Sequence, residues 1–391
     1  MTLRIAHISD ADRPSGLSSY ILEIGSIHQH TRDVKQFFMS SPRSRFSHKP
    51  KGKCDAEEQY FHDVEKRGFT VCRIQHDMPH LIATTFEYIR LLKQHNIQLV
   101  CAHGHKPRIL GWFAAKRLGI PIIAVSHGWT GAGLKMKLFE CIDKWMHRLM
   151  DHVVCVSQAQ ADKVIRYGTP PSRVSVIYNS IRTDRFDVRS NISFRHQLEA
   201  MFPKKPKWIV GAAGRLSLEK GYDILITAAK QLLHSGLDIG FVLFGDGSLY
   251  QPLQKQVDDA GIASSFVLTG QRTDQLDQYM PHFDLFAQSS HTEGMPTVLL
   301  EAMAARTAVV ATQVGGTGEL VVEGSTGLMV PPNNPDALAN AIRKVLNDDE
   351  LRRTMGENGR QQVAKSFNFE PQAEKYWELF CRLLRTQNRE V

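Results

Sequence analysis

Short, strand-like apolar runs alternate along the chain with longer runs whose apolar residues recur at helical spacing. In the first half, strands are predicted at 3–9, 69–74, 98–103, 121–126 and 152–157, and helices at 17–30, 81–94 and 107–118. In the second half, strands are predicted near 208–213, 239–244, 265–269, 283–287, 307–311 and 327–330. This alternation is typical of doubly wound parallel sheets, in which a helix connects each strand to the next. The sequence therefore predicts an α/β fold.

The length of the chain indicates two domains. At 391 residues it is too long for one ordinary core, and its 42% hydrophobic and 23% charged content is that of a globular protein. Residues 181–207 are polar and basic, so we expect a linker there. We predict an N-terminal domain over 1–185 and a C-terminal domain over 205–369, followed by a helix within 370–391.

The sequence gives no sign of membrane insertion or of disulfides. We find no apolar run long enough for a membrane-spanning helix, and the first ten residues have the pattern of a strand rather than of a signal peptide. The six cysteines lack C-x-x-C spacing, so neither disulfides nor a zinc site is expected. We therefore expect a cytoplasmic protein.

Positive charge is concentrated in the first half. Residues 1–190 hold 28 Lys and Arg against 17 Asp and Glu, whereas the remainder holds 20 against 23, which accounts for the formal net charge of +8. A basic face attracts an anionic membrane or a lipid pyrophosphate, and it also attracts nucleic acid. A solvated basic surface without a partner is the plain alternative. We expect peripheral contact with anionic lipid of the inner membrane and no nucleic-acid partner.

Two carboxylates, Glu293 and Glu301, enclose a loop that leads into a predicted helix. The run E-G-M-P-T-V-L-L-E has Pro296 at the first helical position, before an apolar helix body. Because eight residues are slightly more than two turns, both carboxylates lie on about the same side. The N–H groups at the helix start, which form an anion site, belong to Gly294, Met295, Thr297 and Val298. Such a site suits a phosphorylated ligand with hydroxyl groups, such as a nucleotide sugar.

Two cations stand upstream at another strand-to-helix junction. The run G-R-L-S-L-E-K-G carries Arg215 and Lys220 between a predicted strand at 208–213 and a predicted helix at 222–233. Cations at such a junction are well placed to neutralise a diphosphate.

Taken in order, these motifs resemble those of the retaining glycosyltransferases of family four. The resemblance covers nearly the whole chain and includes Gly16 in the first loop, S-H-G-W around His127, V-C-V-S at 154–157, I-Y-N-S at 177–180, F-G-D-G at 244–247, and Gly270. It implies the GT-B fold, in which two Rossmann-like domains face a cleft. It also implies that the helix within 370–391 crosses back to pack on the N-terminal, acceptor-binding domain. The C-terminal domain would bind the nucleotide sugar.

The resemblance assigns roles in the donor domain. Glu301 would accept hydrogen bonds from the ribose hydroxyls, and Glu293 would lie near the donor sugar and leaving phosphate without acting as a nucleophile. Arg215 and Lys220 would hold the pyrophosphate, where their effect is largest as charge develops on the leaving group. The residues following Gly270, Gln271 and Arg272, would line the base pocket.

In the N-terminal domain the resemblance concerns loops that follow strands. Gly16 would let the backbone approach a phosphate closely, and His127 would face the donor sugar or phosphate. His103 and His105 are either acceptor-side or structural residues. Asp10 and Asp12 spell D-x-D, a metal motif elsewhere, but here we expect no metal and no other cofactor, because Arg215 and Lys220 supply the positive charge.

Two segments of the first half stand apart from the motifs. Residues 42–58 are basic and poor in large apolar side chains, so we expect an exposed loop that could cover the acceptor site. Residues 134–150 have the pattern of a basic amphipathic helix. We favour packing of its apolar stripe into the core over membrane contact, the stripe being Leu134, Leu138, Cys141, Ile142, Trp145 and Leu149.

The sequence therefore predicts a metal-independent, retaining glycosyltransferase. It would transfer a sugar from a nucleoside-diphosphate sugar, with UDP favoured over GDP, to a hydroxyl of a glycan acceptor. We expect this acceptor to be lipid-linked, in assembly of a bacterial surface polysaccharide such as lipopolysaccharide, at the inner face of the cell membrane. Two alternatives are a GT-B nucleotide-sugar epimerase and a non-catalytic GT-B scaffold subunit.

Overall fold

The computed structural model describes residues 2–10, 16–40, 53–76, 80–129, 134–186, 191–270 and 275–387. Within these residues the chain forms two compact units. The first contains the residues up to Gly128, those from 134 to Asn179, and those from Phe369 onward. The second runs from Ser180 to Asn368 and also includes Trp129.

The first unit is built on a seven-stranded parallel sheet. Its strands are β1 (Leu3–Ser9), β2 (Val34–Ser40), β3 (Thr70–Arg73), β4 (Leu99–His103), β5 (Ile122–Ser126), β6 (His152–Cys155) and β7 (Val174–Val176). They lie in the order β3-β2-β1-β4-β5-β6-β7. The connecting helices are α1 (Gly16–Thr31), α2 (Lys53–Lys66), α3 (Leu81–Gln94), α4 (His105–Leu118), α5 (Leu134–His147) and α6 (Gln158–Arg166). The strand order reverses between β1 and β4, and ligands of such sheets bind beyond the carboxyl ends of the strands at this point.

The second unit repeats this plan with six parallel strands. These are β8 (Trp208–Ala213), β9 (Ile239–Phe244), β10 (Phe266–Leu268), β11 (Leu285–Gln288), β12 (Val309–Thr312) and β13 (Gly327–Val330), in the order β10-β9-β8-β11-β12-β13. Its helices are α7 (Ser193–Glu199), α8 (Tyr222–His234), α9 (Tyr250–Asp259), α10 (Leu276–Tyr279), α11 (Thr297–Ala304), α12 (Thr317–Leu320), α13 (Pro335–Asn347) and α14 (Asp349–Ser366). Its reversal point lies between β8 and β11.

A long helix that follows the second unit belongs to the first. Helix α15 (Phe369–Gln387) packs against α1, where Phe380 and Tyr376 join Tyr20 in the core. His28 of α1 adds a ring-nitrogen hydrogen bond of 2.7 Å to the carbonyl oxygen of Ala373. The helix thus covers one face of the first sheet with apolar side chains.

The predicted fold class, an α/β protein with two Rossmann-like parallel sheets, is confirmed, and most predicted elements match within two residues. Local signals explain this agreement: Gly119 ends α4 in the left-handed conformation at φ 66°, and the Ser157 hydroxyl caps α6 by accepting from the Gln160 amide. Strands β2 and β7 were not predicted. Strand β7 has only three residues and lies at the sheet edge, so it carries little sequence signal.

Two segments differ from their predicted structures. The polar stretch 181–207, expected to be a linker, lies in the second unit and contains α7. There Arg195 bonds the carboxylates of Glu199 and Asp284, so polarity reflects ion pairing rather than an open linker. Of the expected loop at 42–58, the residues up to 52 lie outside the described part, and Lys53 begins α2.

The predicted orientation of α5 is wrong. The stripe that was expected to pack into the core carries Ile142 and Trp145, whose exposed fractions are 40% and 56%. The face that packs inward carries Asp143 and His147 instead, at 2% and 1%. The reason is an ion pair that only the tertiary structure reveals: Arg108 of α4, itself buried, donates to the carboxylate of Asp143.

Candidate active site

The carboxyl ends of two adjacent strands organise the site in the second unit. Strand β8 ends at Ala213 and leads into the turn that carries Arg215 and Lys220, while β11 ends at Gln288 and leads into the loop that carries Glu293. Because β8 and β11 pair with each other, these two loops are neighbours at the reversal point of the sheet.

Glu293 is the most strongly anchored side chain of this site. Its Oε1 accepts hydrogen bonds from Lys220 Nζ at 2.7 Å, Ser290 Oγ at 2.7 Å and Gln288 Nε2 at 3.0 Å. Glu293 is only 10% exposed and Lys220 20%, so the pair is held away from most of the solvent. The positive charge of Lys220 is thus already oriented, and the second carboxylate oxygen of Glu293 takes no part in these three bonds.

Close backbone packing fixes the loops around this pair. Gly245 follows β9 at φ 151°, and a Cβ there would lie 1.9 Å from the carbonyl oxygen of Gly214. Gly315 follows β12 at φ 51°, and a Cβ there would lie 1.8 Å from the carbonyl oxygen of Glu293. Only glycine fits at either position, so these glycines let the loops from neighbouring strands interlock.

The start of α11 provides amide donors beside Glu293. The helix begins at Thr297, one residue later than predicted, with Pro296 as its N-cap residue and without a side-chain capping hydrogen bond. Uncapped first-turn N–H groups carry the positive end of the helix dipole. The adjoining Met295 and Pro296 are buried, which fixes the backbone from Gly294 into the helix.

Glu301 lies one turn further along α11, four residues after Thr297. Burial raises the pKa of this carboxyl from 4.5 to about 7, an effect that Arg185 opposes and Asp277 reinforces. Arg185 and Asp277 form an ion pair at 3.1 Å. Neither residue was predicted, and no local pattern could have identified them, because 92 residues separate them along the chain.

The other predicted residues of the second unit lie at the same strand ends. Arg215 is exposed directly after Gly214, and Gly270 adopts φ 65° while its carbonyl accepts from the Gly245 amide at 3.2 Å. Gln271 and Arg272, predicted to line a base pocket, lie outside the described residues.

In the first unit, Gly16 and His127 occupy separate strand ends. Gly16 is the first residue of α1, beyond β1, and Asp12 of the D-x-D sequence lies outside the described residues. His127 follows β5, and burial lowers the pKa of its imidazole to about 4, with Arg108 adding to the effect. Its Nε2 is buried without a hydrogen-bond partner among the described residues. His127 is therefore a neutral imidazole at physiological pH.

Three buried polar side chains, Gln36, His7 and His103, lie in a row within hydrogen-bonding distance of one another, and the His103 ring is next to that of His127. His7 Nε2 lies 3.0 Å from Gln36 Oε1, and His7 Nδ1 lies 3.2 Å from His103 Nε2. Because the amide oxygen only accepts, His7 donates from Nε2 in this arrangement and accepts at Nδ1 from His103. His103 Nδ1 is then a lone-pair acceptor, buried and without a hydrogen-bond partner among the described residues. Burial lowers the pKa of His7 to about 4 and that of His103 well below its usual range.

His105, the other predicted acceptor-side residue, lies next to the buried ion pair. Its Nδ1 is 3.0 Å from Asp143 Oδ1, and the same carboxylate forms an ion pair with the guanidinium group of Arg108. Burial lowers the pKa of Arg108 to about 10. The sequence signal for this cluster was the polar spacing of Glu140, Asp143 and His147 along α5, which the sequence analysis did not use.

Chemically, the second unit offers a fixed ammonium group, helix-start amides and two carboxylates at one strand edge. Together with two Rossmann-like parallel sheets, this arrangement defines the GT-B class of proteins. Residues 195–362 match the family model described as glycosyl transferases group 1, and residues 44–185 match the model described as glycosyltransferase family 4. The chain belongs to these glycosyltransferases.

Individual relatives agree with this assignment. An uncharacterised glycosyltransferase of Methanocaldococcus jannaschii is 30% identical over 72% of this chain and 74% of its own length. The Escherichia coli UDP-Gal:alpha-D-GlcNAc-diphosphoundecaprenol alpha-1,3-galactosyltransferase is 26% identical over 81% of this chain and 83% of its own length. The crystal structure of Anabaena HepE in complex with UDP and glucose matches 97% of this chain and 100% of that chain with a TM-score of 0.82, at 21% identity. This last likeness shows the shared fold.

Proposed function

We propose that the protein is a retaining glycosyltransferase that transfers a sugar from a UDP-sugar to a hydroxyl of a lipid-linked glycan. The observation that carries the proposal is the Lys220–Glu293 pair, fixed at 2.7 Å beside the uncapped start of α11. An ammonium group and helix amides stabilise a diphosphate, and the half-buried carboxylate of Glu301 on the same helix suits a vicinal diol. A nucleoside-diphosphate sugar has both groups.

Lys220, Arg215 and the backbone N–H groups of Gly294, Met295 and Thr297 would act on the leaving group. As the glycosidic bond to the diphosphate breaks, negative charge develops on the phosphate oxygens, so preorganised donors stabilise the transition state more than the ground state. The protein's own cations supply this charge, and the proposal therefore includes no metal and no further cofactor.

Glu301 would bind the ribose. An ionised carboxylate is an acceptor-only group with two oxygens, which matches two neighbouring hydroxyl donors. Because burial places its pKa at about 7, ribose binding would favour the ionised form and release a proton.

Glu293 would stabilise the reacting sugar rather than attack it. Three donors already occupy its Oε1, which makes the carboxylate a poor nucleophile. Its second oxygen would accept from a donor-sugar hydroxyl or face the positive charge that builds at the anomeric carbon. His127, as a neutral imidazole, would donate a hydrogen bond to the sugar or phosphate.

The choice of UDP and of a lipid-linked acceptor is supported by the relatives. The E. coli relative is named for a UDP-sugar donor and a diphosphoundecaprenol acceptor, and HepE was crystallised with UDP. The role that follows is assembly of a bacterial surface polysaccharide at the inner face of the cell membrane. Among the described residues, we find no helix with the length and apolar character that crossing a membrane requires.

The first test is thermal unfolding with UDP, GDP, ADP, dTDP and CMP, each with and without EDTA. We expect UDP to raise the midpoint, since a ligand that binds only the folded state stabilises it by mass action, and we expect EDTA to have no effect. Proton NMR of the product from an α-linked UDP-sugar would then show an α-linkage. A shift with GDP alone would correct the donor, an inverted anomer would refute retention, and an epimerised donor without a new linkage would identify an epimerase.

The matched variants are Lys220→Met and Glu350→Gln, the latter an exposed position on α14. We expect Lys220→Met to abolish most of the UDP-induced shift and Glu350→Gln to preserve it. UDP binding without any turnover, unchanged by either variant, would favour a non-catalytic scaffold.

A further inference from the structure

Three helices of the first unit form one layer on the sheet. Helix α4 packs against both α3 and α5. Right-handed crossovers that advance from β4 to β5 and from β5 to β6 place α4 and α5 on one face of the sheet. We refer to the solvent-facing sides of α3, α4 and α5, together with Tyr167 after α6, as the α3–α5 surface.

The α3–α5 surface exposes large apolar side chains on every helix. On α3, Ile82 and Phe86 are 76% and 66% exposed and stand four residues apart, so they share a face. Phe113 of α4 is 53% exposed, and Trp145 of α5 is 56% exposed. Isolated exposed apolar residues need no explanation, but a set on three adjacent helices marks a contact surface.

Charge is segregated across the same three helices. Their carboxylates are Glu87, Glu140 and Asp143, and each is at most 7% exposed. Their exposed cations include Arg90, Lys93, Lys116 and Arg117, of which Lys116 pairs with Asp151 at 2.7 Å. The acidic groups of these helices therefore face the protein, and the surface that remains combines positive charge with apolar groups.

Lys144 and Arg148, which lie on either side of Trp145 along the chain, both contact Tyr167. Lys144 Nζ stands 4.3 Å from the centre of the Tyr167 ring, and Arg148 Nε donates to the Tyr167 carbonyl oxygen at 2.6 Å. Tyrosine and tryptophan with adjacent Lys and Arg are the side chains that prefer the boundary between lipid headgroups and acyl chains.

We propose that the α3–α5 surface docks the protein on a bilayer that contains anionic phospholipid. The cations complement the headgroup charge, and the exposed Ile, Phe and Trp side chains reach the acyl boundary. A nucleic acid would be recognised through the cations and would leave Ile82 and Phe86 in water. This docking is independent of the proposed transfer reaction, because it needs neither a donor nor turnover.

The test is flotation of the full chain with vesicles of phosphatidylcholine alone and of phosphatidylcholine with 30% phosphatidylglycerol. Binding is expected only to the anionic vesicles and is expected to be lost in 0.5 M NaCl, which screens charges beyond a few ångströms. Replacing both Arg90 and Arg117 by Glu is expected to lower the partition coefficient at least about tenfold, since each cation near the surface contributes measurably. The matched control replaces Lys230 and Arg353, exposed cations of the second unit, by Glu and is expected to bind like wild type.

A second pair of variants tests the apolar part. Phe86→Ser combined with Trp145→Ser is expected to reduce binding about tenfold or more, whereas Ile192→Ser combined with Val322→Ser, at exposed positions of the second unit, is not. Lipids brominated near the headgroup should quench tryptophan fluorescence in wild type, and Trp145→Phe should lose most of this quenching while it still binds. Circular dichroism and the thermal midpoint report that each variant is folded.

Equal binding to neutral and anionic vesicles, equal loss in the surface and control variants, or no vesicle binding would each overturn the proposal. Concentration-dependent self-association that Phe86→Ser with Trp145→Ser abolishes would overturn it in favour of a second copy of the chain. RNA or DNA binding without vesicle binding would assign the cations to nucleic acid.

Discussion

Glu301, the proposed ribose-binding residue, allows the energetic cost of its ionisation to be measured in the ligand-free protein. Burial raises the pKa of its carboxyl from 4.5 to about 7. The folded chain holds this proton more tightly than the unfolded chain. The contribution of the protonated Glu301 carboxyl to the free energy of unfolding is therefore fully present below about pH 4.5 and is lost as the pH rises through 7. A tenfold change in proton affinity corresponds to about 1.4 kcal/mol, so keeping Glu301 ionised at pH 8 costs about 3 kcal/mol.

Glu301→Gln removes the ionisation and keeps the shape of the side chain. At pH 5 the variant should match wild type. At pH 8 it should be more stable by up to about 3 kcal/mol, which corresponds to a rise of up to roughly 6–12 °C in the melting temperature of a unit of this size. The same variant should bind UDP at least about tenfold more weakly, because an amide replaces the carboxylate acceptor.

The assay is differential scanning calorimetry at pH 5, 6, 7 and 8, with UDP affinity measured by titration calorimetry. Glu350→Gln is the control, since its carboxyl is exposed, and it should change stability by less than about 0.5 kcal/mol at every pH. If Glu301→Gln gains no stability between pH 5 and pH 8 relative to wild type, burial does not oppose ionisation of this carboxyl and the reasoning is refuted.

Three further outcomes are expected. Glu293→Gln should lower kcat about 100-fold or more. UDP should bind this variant as tightly as wild type or more tightly, because Lys220 loses its negative partner. A weakened UDP affinity with unchanged kcat would contradict this prediction. The first unit should lose stability as the pH falls from 6.5 toward 4, because His7 and His127 have pKa values of about 4 when folded and take up protons on unfolding. In urea titrations, His7→Gln should reduce this loss of stability by about 2 kcal/mol at pH 5. An unchanged pH dependence would exclude His7 as its source. Phe380→Ala should lower the free energy of unfolding of the first unit by about 3–5 kcal/mol, as measured by chemical denaturation. Glu378→Ala, on the exposed side of the same helix, should lower it by less than about 0.5 kcal/mol. Equal effects would argue against a packed α15.

The sequence was sufficient for features whose determinants are local. Strand and helix periodicity located most strands of both sheets, and strand-end motifs identified Lys220 and Glu293. The structure brings these two side chains to 2.7 Å, in loops that follow the paired strands β8 and β11. This works because the carboxyl ends of parallel strands meet at one edge, so residues that follow such strands are close in space whatever their separation along the chain.

The sequence was insufficient where a side chain's environment depends on distant residues. The ion pair of Arg185 and Asp277 beside Glu301 joins residues from different elements and has no periodic signal. On α5, hydrophobicity alone favoured burial of Trp145, but the carboxylate of Asp143 is the group that meets Arg108 inside the protein. A polar stripe with a buried partner cannot be distinguished from a solvated stripe until the partner is located.

Helix α15 has a consequence for biosynthesis. Residues 369–387 leave the ribosome after the whole of the second unit has been made, yet they supply Phe380 and Tyr376 to the core around Tyr20. During translation, part of one apolar face of the first sheet therefore stays uncovered until roughly two hundred further residues have been added. A ribosome that stalls within the second unit would release a chain whose earliest sheet is complete in its strands and still prone to aggregation.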